Sequence, residues 1–150
     1  MRALIQRVGS ASVSVGQVMK ASIGRGLLVL LGVESVDTLE DVEWLAGKVA
    51  RLRVFEDNDG MMNCALTEVQ GEALVISQFT LFASTRKGNR PSFTRAAAPA
   101  HAIPLYEAFV AVLERELGKG VGTGVFGADM EVALVNDGPV TIWMDSRQRE

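Results

Sequence analysis

The chain has 150 residues, of which 48% are hydrophobic and 22% are charged, a composition that suits one globular domain. Its formal net charge of −3 argues against a protein that coats nucleic acid through overall charge. The only cysteine, Cys64, excludes an internal disulfide and a cysteine-rich metal cluster, and suits a reducing compartment. No apolar run is long enough to span a membrane and no signal peptide opens the chain, so we expect a cytoplasmic protein without a membrane partner.

The first third of the chain predicts a meander of strands followed by a helix. The β-rich stretches ALIQRV, SASVSV and VMKASI are separated by Gly9-Ser10 and by Gly16-Gln17, and they lead into the apolar segment GLLVLLGV. In VDTLEDVEWLAGKVARL, apolar residues recur at helical spacing, and Asp37 with Glu40 imitates a capping box. This second stretch is therefore predicted to form an amphipathic helix.

The rest of the chain predicts further strands and a second helix. EALVISQFTLFA is the most strand-like segment, and PAHAIPLYEAFVAVLERELG carries a helical stripe that ends near Gly118. MEVALV and VTIWM predict two closing strands with a turn at NDGP between them, and a disordered tail is predicted from about residue 145. Two helices with about eight to ten strands indicate an α+β fold, a single domain with a largely antiparallel sheet or barrel.

The segment Ser77 to Ala83 is the first place where the sequence suggests chemistry. As a strand it would put Gln78, Thr80 and Phe82 on one side, so that polar groups share a face with an aromatic ring. One interpretation is the solvent face of a one-sided sheet. The other is a site where backbone N–H groups and a hydroxyl stabilise a developing oxyanion.

A basic segment follows, in a stretch from residue 73 to residue 106 that contains no Asp or Glu. Arg86, Lys87, Arg90 and Arg95 fall within ten residues of one another there. They form either a solvated loop with uncompensated charge or a site that binds phosphates.

Other motifs carry little chemistry. GTGVFG, residues 122 to 127, follows a helix and leads into a strand, so it is not a dinucleotide-binding fingerprint; its glycines suit a tight turn or close approach of a ligand. His101, the only histidine, is a weak candidate for a general base, because the start of a helix is a common place for a capping or exposed histidine. No metal-binding motif occurs, and neither a metal nor a cofactor is expected.

Three motifs together resemble a known family. SQFTL at 77 to 81, RPSF at 90 to 93 and NDGPVT at 136 to 141, with the opening ALIQRV..ASV, are similar in order and spacing to the bacterial D-aminoacyl-tRNA deacylases over residues 1 to about 144. The resemblance implies a homodimer that hydrolyses the ester between a D-amino acid and the 3′-terminal adenosine of tRNA. It also implies removal of glycine mischarged onto alanine tRNA, with tRNA rather than DNA as the nucleic-acid partner.

The resemblance also assigns roles to residues of the first motif. Ser77, Gln78, Phe79 and Thr80 would form a catalytic strand, with backbone N–H groups near Phe79 and Thr80 polarising the ester carbonyl. Thr80 is not expected to be the nucleophile, because no base accompanies it in the sequence and an unactivated hydroxyl is a poor nucleophile. The terminal ribose 2′-hydroxyl would instead help to activate water.

The remaining roles that the resemblance implies concern specificity and binding. Gly138-Pro139 would form a cis peptide that enters the active site of the other subunit, holds the substrate's α-amino group and leaves no room for an L side chain. Phe126 and Met130 would line the adenosine and aminoacyl pocket, and Ala102 would approach it. The basic residues of the loop would contact acceptor-stem phosphates.

Two other functions remain open at this point. One is a tRNA-binding module that performs no hydrolysis. The other is an editing hydrolase that removes a wrong L-amino acid, as the similar editing domain of some archaeal threonyl-tRNA synthetases does.

Overall fold

Eight strands and two α-helices make up residues 1–149, which the computed structural model describes. The predicted α+β class is confirmed, with a mostly antiparallel, nearly closed barrel-like sheet in a single domain. The elements are β1 Arg2–Val15, β2 Val18–Ile23, β3 Gly26–Gly32, α1 Leu39–Ala50, β4 Phe55–Glu56, β5 Met62–Cys64, β6 Glu72–Ser77, a 3₁₀ helix Phe79–Phe82, α2 Pro99–Leu117, β7 Gly122–Thr123 and β8 Glu131–Asp145.

Strand β1 is the centre of the sheet. It pairs antiparallel with β2, β3 and β8, while β3 with β6 and β6 with β7 are parallel pairs that complete the order β2-β1-β3-β6-β7. Strands β4 and β5 form a separate small hairpin. No helix among residues 1–149 has the length and apolarity needed to cross a membrane.

The prediction of separate strands on either side of Gly9-Ser10 was wrong. β1 is one strand of 14 residues, and its pairing with β8 shifts register between Gln6 and Val8 and again between Val8 and Ser10. Such irregularities bend a strand without ending it. Because β1 bends, Ala3 and Ile5 face the core beneath the two helices, whereas Ala11 and Val13 belong to a second core on the other face.

β8 is also continuous, where the sequence predicted two strands with a turn between them. Its partners on β1 change from Thr141 opposite Gln6 to Asn136 opposite Val8, so that residues 137 to 140 all lie opposite Arg7. We call residues 137 to 140 the β8 bulge. The Gly138-Pro139 peptide bond within it is cis, as the family resemblance implied.

The N-cap of the first helix lies one residue later than predicted, at Thr38 instead of Asp37. Thr38 is the N-cap, and its backbone N–H donates to Oδ2 of Asp41 at 2.9 Å. Asp37 is buried and accepts the backbone N–H of Glu34 at 2.7 Å instead. A capping box needs a hydroxyl at the N-cap and an acid three residues later, and Thr38 with Asp41 provides that pair. The second helix ends as predicted, at Gly118 in the left-handed conformation.

The residues after β8 make defined contacts, where the sequence predicted a disordered tail. Ser146 is buried, its hydroxyl donates to Oδ1 of Asp41 at 2.6 Å, and its backbone N–H donates to the carbonyl of Met1 at 2.9 Å. Nε of Arg149 donates to the carbonyl of Ser146 at 2.8 Å. The end of the chain therefore packs on the start of α1 as far as Arg149, and Glu150 lies outside the described residues.

Gly26 and Gly9 provide a matched test of the sheet. A Cβ at Gly26 would overlap the backbone of Glu72 in the parallel pair β3–β6, whereas a Cβ at Gly9 would enter open space. We expect Gly26→Ala to lower the free energy of unfolding by at least about 2 kcal/mol, and Gly9→Ala to change it by less than about 1 kcal/mol. Urea denaturation of both variants measures the difference, and equal stabilities would contradict the close approach of β3 and β6.

Candidate active site

One cavity collects six of the nine residues that the sequence analysis assigned to catalysis, specificity and the substrate pocket. It has a volume of about 290 Å³ and lies where the carboxyl ends of β3 and β6 meet α2 and the segment between β7 and β8. The residues that line it and belong to the sequence-predicted set are Ser77, Gln78, Phe79, Ala102, Phe126 and Met130. Thr80, Gly138 and Pro139 do not line it.

The first motif is a strand end followed by a helical turn, so the predicted strand over residues 77 to 83 was wrong. β6 ends at Ser77, and Phe79–Phe82 form the 3₁₀ helix. The chain turns here because Phe82 is buried against Gly32, at the end of β3, where a Cβ would lie only 3.1 Å from the Phe82 ring. Phe79 is consequently 57% exposed at the mouth of the cavity.

The turn leaves hydrogen-bond donors at the cavity. Gln78 still belongs to the sheet through its backbone N–H, which donates to the carbonyl of Leu31 at 2.7 Å. Phe79 and Thr80 open the 3₁₀ helix, and the first N–H groups of a helix have no partner within it. The exposed Thr80 hydroxyl accepts a hydrogen bond from Nε2 of Gln78, and no histidine or carboxylate of residues 1–149 is bonded to it.

Tyr106 closes the inner end of the cavity, and the sequence analysis did not assign it a role. Its hydroxyl donates to the carbonyl of Val75 at 2.8 Å, and its ring packs edge-on against Phe126 at 5.9 Å. Burial raises the pKa of Tyr106 to about 12, so the phenol is neutral at ordinary pH. The one available signal was its position on the apolar stripe of α2, which indicates burial but no specific contact.

The glycine-rich segment, residues 122 to 127, contributes to a wall of the cavity. The sequence analysis expected its glycines to allow a tight turn or the close approach of a ligand. A Cβ at Gly124 would collide with Sδ of Met130, so the absence of a side chain lets that thioether reach the cavity. Gly127 has a φ of +76°, which favours glycine, and it turns the chain between Phe126 and Met130.

The β8 bulge is held by a buried arginine that the sequence analysis did not single out. Arg7 donates from Nη1 to the carbonyl of Val54 at 2.7 Å and from Nε to the carbonyl of Asp137 at 3.2 Å. The Asn136 side-chain amide donates to the carbonyls of Arg7 and Val140, both at 3.0 Å, and so closes the bulge. Gly138 has a φ of +124°. An arginine inside the apolar stretch ALIQRV was the signal that something polar had to be bound there.

The bulge and the cavity are separated within one chain. On β3, Leu27 pairs with Arg7 and Leu31 pairs with Ser77. The four residue steps from Leu27 to Leu31 correspond to about 13 Å along the strand. The structure therefore gathers the first motif and the pocket residues into one site and leaves Gly138 and Pro139 outside it.

The basic loop is exposed beside the cavity mouth. Arg86, Lys87 and Arg90 occupy a bend that is closed by backbone hydrogen bonds between Ser84 and Ser92, at 2.8 and 2.9 Å. The loop is tied to the first motif because Phe93 packs edge-on against Phe79 at 5.1 Å. Arg95 differs from the others, since its Nε binds Oε1 of Glu34 at 2.6 Å.

The residues that the sequence analysis considered weak candidates lie away from the cavity. His101 is exposed in the first turn of α2, where its Nε2 lies 3.0 Å from the carbonyl of Asp37, and it does not line the cavity. Cys64 packs half-buried against the main core. No group of three or more His, Cys, Asp or Glu side chains within residues 1–149 is placed to hold a metal ion.

Fold and cavity together describe a single-domain α+β protein with one candidate active site, and comparison with known proteins gives its family. The chain matches the family described as "D-Tyr-tRNA(Tyr) deacylase" over residues 4–145. It belongs to that family.

Relatives of similar length support this assignment. The D-aminoacyl-tRNA deacylases of Akkermansia muciniphila and Flavobacterium johnsoniae are 60% and 57% identical over 150 residues, which is 100% of each chain. Among solved structures, a c-Myc DNA Unwinding Element Binding Protein superposes with a TM-score of 0.90 at 40% identity, covering 97% of this chain and 98% of that one. A probable eukaryotic D-amino acid tRNA deacylase has the same fold, with a TM-score of 0.81 at 20% identity and coverage of 95% and 97%.

Tyr106 gives the molecule a testable response to alkali. The folded state keeps this proton up to a pKa of about 12, whereas the unfolded state releases it near the ordinary value of 10.0. Its contribution to stability is therefore complete below about pH 10 and is lost as the pH rises towards 12. Between these pH values we expect the wild type to lose about 2 kcal/mol more stability than Tyr106→Phe, as measured by urea denaturation. Parallel losses in the two proteins would contradict a buried, neutral phenol.

Proposed function

We propose that the protein is a D-aminoacyl-tRNA deacylase that acts as a homodimer in the cytoplasm. It hydrolyses the ester between a D-amino acid, or glycine mischarged on alanine tRNA, and the terminal ribose, and releases free tRNA. The observation that carries this proposal is the cavity at the first motif, where Ser77, Gln78 and Phe79 meet apolar walls. Membership of the family supplies the substrate class.

The chemistry requires stabilisation of one oxyanion and activation of one water. Water adds to the ester carbonyl carbon and the carbonyl oxygen becomes negative. The bond to the ribose oxygen then breaks, and that oxygen leaves as a hydroxyl with the proton that the water gives up. The N–H groups of Phe79 and Thr80 are the donors for that oxyanion, since both residues open the 3₁₀ helix without a partner inside it and Phe79 lines the cavity. The ribose 2′-hydroxyl assists the water, and Thr80 contributes its backbone rather than its side chain.

The second motif completes this site from the partner subunit. The bulge lies about 13 Å along the sheet from the cavity of its own chain, and Gly138 and Pro139 are exposed. Apolar side chains surround both features: Val135 is 62% exposed and Leu134 37%, close to the bulge, and Phe79 is exposed at the cavity. In the proposed dimer, a two-fold axis brings each bulge to the cavity of the other chain and covers these apolar side chains.

This arrangement explains how chirality is selected. The cavity alone is open on one side and, at about 290 Å³, is small for an aminoacyl-adenosine. The bulge of the partner supplies the missing wall, and its carbonyl groups bind the α-amino group of the substrate. A D side chain then points into free space and an L side chain meets the bulge, while glycine has no side chain to exclude.

The first experiment is single-turnover release of amino acid from D-tyrosyl-tRNA and L-tyrosyl-tRNA. We expect rapid loss of the D ester and no more than background loss of the L ester. Thr80→Val should retain hydrolysis within about tenfold of the wild type, because the backbone N–H groups remain. Loss of neither ester would indicate a binding module without turnover, and loss of both would indicate an editing hydrolase without chiral selection.

Mixed dimers test the cross-subunit site. Ala128→Trp would block the cavity, which Ala128 lines, and Gly138→Val would disable the bulge, so each homodimer should be inactive. In a heterodimer the unblocked cavity meets the intact bulge, and an equal mixture should recover about a quarter of wild-type activity. If cavity and bulge acted within one chain, the mixture would stay inactive. Mass measurement of the mixture confirms exchange of subunits.

A further inference from the structure

A second, larger cavity lies outside the proposed active site. It has a volume of about 420 Å³ and lies between α1 and the edge of β8, whose residues 141 to 145 pair with β1 on one side only among the described strands. Both tryptophans of the chain, Trp44 and Trp143, line it. We call this cavity the tryptophan groove; Lys48, Arg51, Arg53, Met144 and Asp145 also line it.

The groove combines aromatic surface with positive charge. Trp143 is 48% exposed, which is unusual for so large an apolar side chain in a folded protein. Lys48 and Arg53 are exposed, and within residues 1–149 neither forms an ion pair. Arg51 is paired with Glu116 at 2.8 Å. The acid of the groove, Asp145, is neutralised by Arg2 at 2.9 Å.

The groove is connected to the active site by stacked cationic and aromatic side chains. The Arg2 guanidinium lies 5.3 Å from the centre of the Trp143 ring and 4.5 Å from that of Phe82. Arg95 lies on Phe82 as well, at 5.6 Å, and Arg2 also donates to the carbonyl of Leu81 at 2.9 Å. Phe82 ends the 3₁₀ helix whose first residue, Phe79, lines the catalytic cavity. Arg2 therefore links the two features beneath the surface, because its guanidinium contacts Trp143 of the groove and the buried Phe82 of the 3₁₀ helix.

We propose that the tryptophan groove binds an unpaired nucleotide of the tRNA strand that leads to the aminoacylated end. A base packs against the exposed indole of Trp143, and Lys48 and Arg53 contact the adjoining phosphates. This proposal rests on the proposed function, because it takes the occupant to be the same tRNA whose end enters the catalytic cavity.

The occupant follows from the chemistry of the walls. Proteins that bind single-stranded nucleic acid combine stacking aromatic side chains with a cationic groove that follows the backbone, and this groove has both. The distance between the groove and the catalytic cavity is also suitable. Met144 in the groove and Leu31 in the cavity both pair with Ala3, one from each side. The two residues are therefore two strand spacings, or about 10 Å, apart across the sheet. That separation corresponds to a few nucleotides.

Fluorescence tests occupancy directly, because both tryptophans are in the groove. Titration with uncharged tRNA should quench the intrinsic emission, and Trp143→Phe should remove most of the change. A salt series should give a binding slope that falls by about one for Lys48→Glu. Lys20→Glu, an exposed change of the same charge on β2, should leave that slope unaltered. Emission that does not respond to tRNA would overturn the proposal.

Kinetics separate this proposal from the proposed function. Trp143→Ala and Lys48→Glu should each raise KM for D-tyrosyl-tRNA about tenfold and leave kcat unchanged. Both variants should hydrolyse D-tyrosyl-adenosine like the wild type, because this small substrate cannot reach the groove. Equal losses on both substrates would mean that the groove acts through the fold and would overturn the proposal. If the wild-type protein hydrolyses neither substrate, the proposed function fails, and the fluorescence titration still decides whether the groove binds tRNA.

Discussion

The pairing of β1 with β8 is the constraint on which the rest of the structure depends. β1 contributes to every antiparallel pair of the main sheet, and its bend at Arg7 lets one strand serve two cores. The same bend places four residues of β8 opposite one residue of β1, which produces the bulge. Arg7 is buried there, and its guanidinium binds the carbonyl of Asp137 in the bulge and the carbonyl of Val54 just before β4. The pairing of β8 with β1 and the exposure of the bulge therefore have the same structural cause.

This constraint also separates the cavity from the β8 bulge within one chain. The cavity lies at the carboxyl ends of two parallel strands, β3 and β6, while the bulge lies near the opposite end of β3, where Arg7 pairs with Leu27. A rigid ladder fixes the distance between them, so no loop movement within one chain brings them together. The proposed deacylase, which uses both, therefore needs two chains. The exposed apolar side chains Leu134, Val135 and Phe79 are the surface that such a dimer would cover.

The sequence predicted features with a local cause. The hairpin at Gly16-Gln17, both helices, the end of the second helix near Gly118 and the α+β class followed from turn residues and periodicity. Features with a distant cause were missed: β1 continues through Gly9 because β8 supports it, and the chain leaves the sheet after Ser77 because Phe82 is buried against Gly32. For the site, the family resemblance identified the segments, whereas Arg7 and Tyr106 required contacts that no local pattern contains.

Charge distribution reconciles an acidic chain with an RNA substrate. The net charge of −3 repels RNA at long range, so binding cannot come from overall attraction. Two carboxylates near the basic surfaces are instead neutralised by ion pairs, Glu34 with Arg95 and Asp145 with Arg2. The electrostatic potential at these surfaces therefore comes mainly from the remaining cations of the loop and the groove. Exposed charges of this kind act within about a Debye length, roughly 8 Å at physiological salt. In the proposed complex the tRNA is therefore bound through short-range contacts with these cations, and it dissociates more readily as the salt concentration rises.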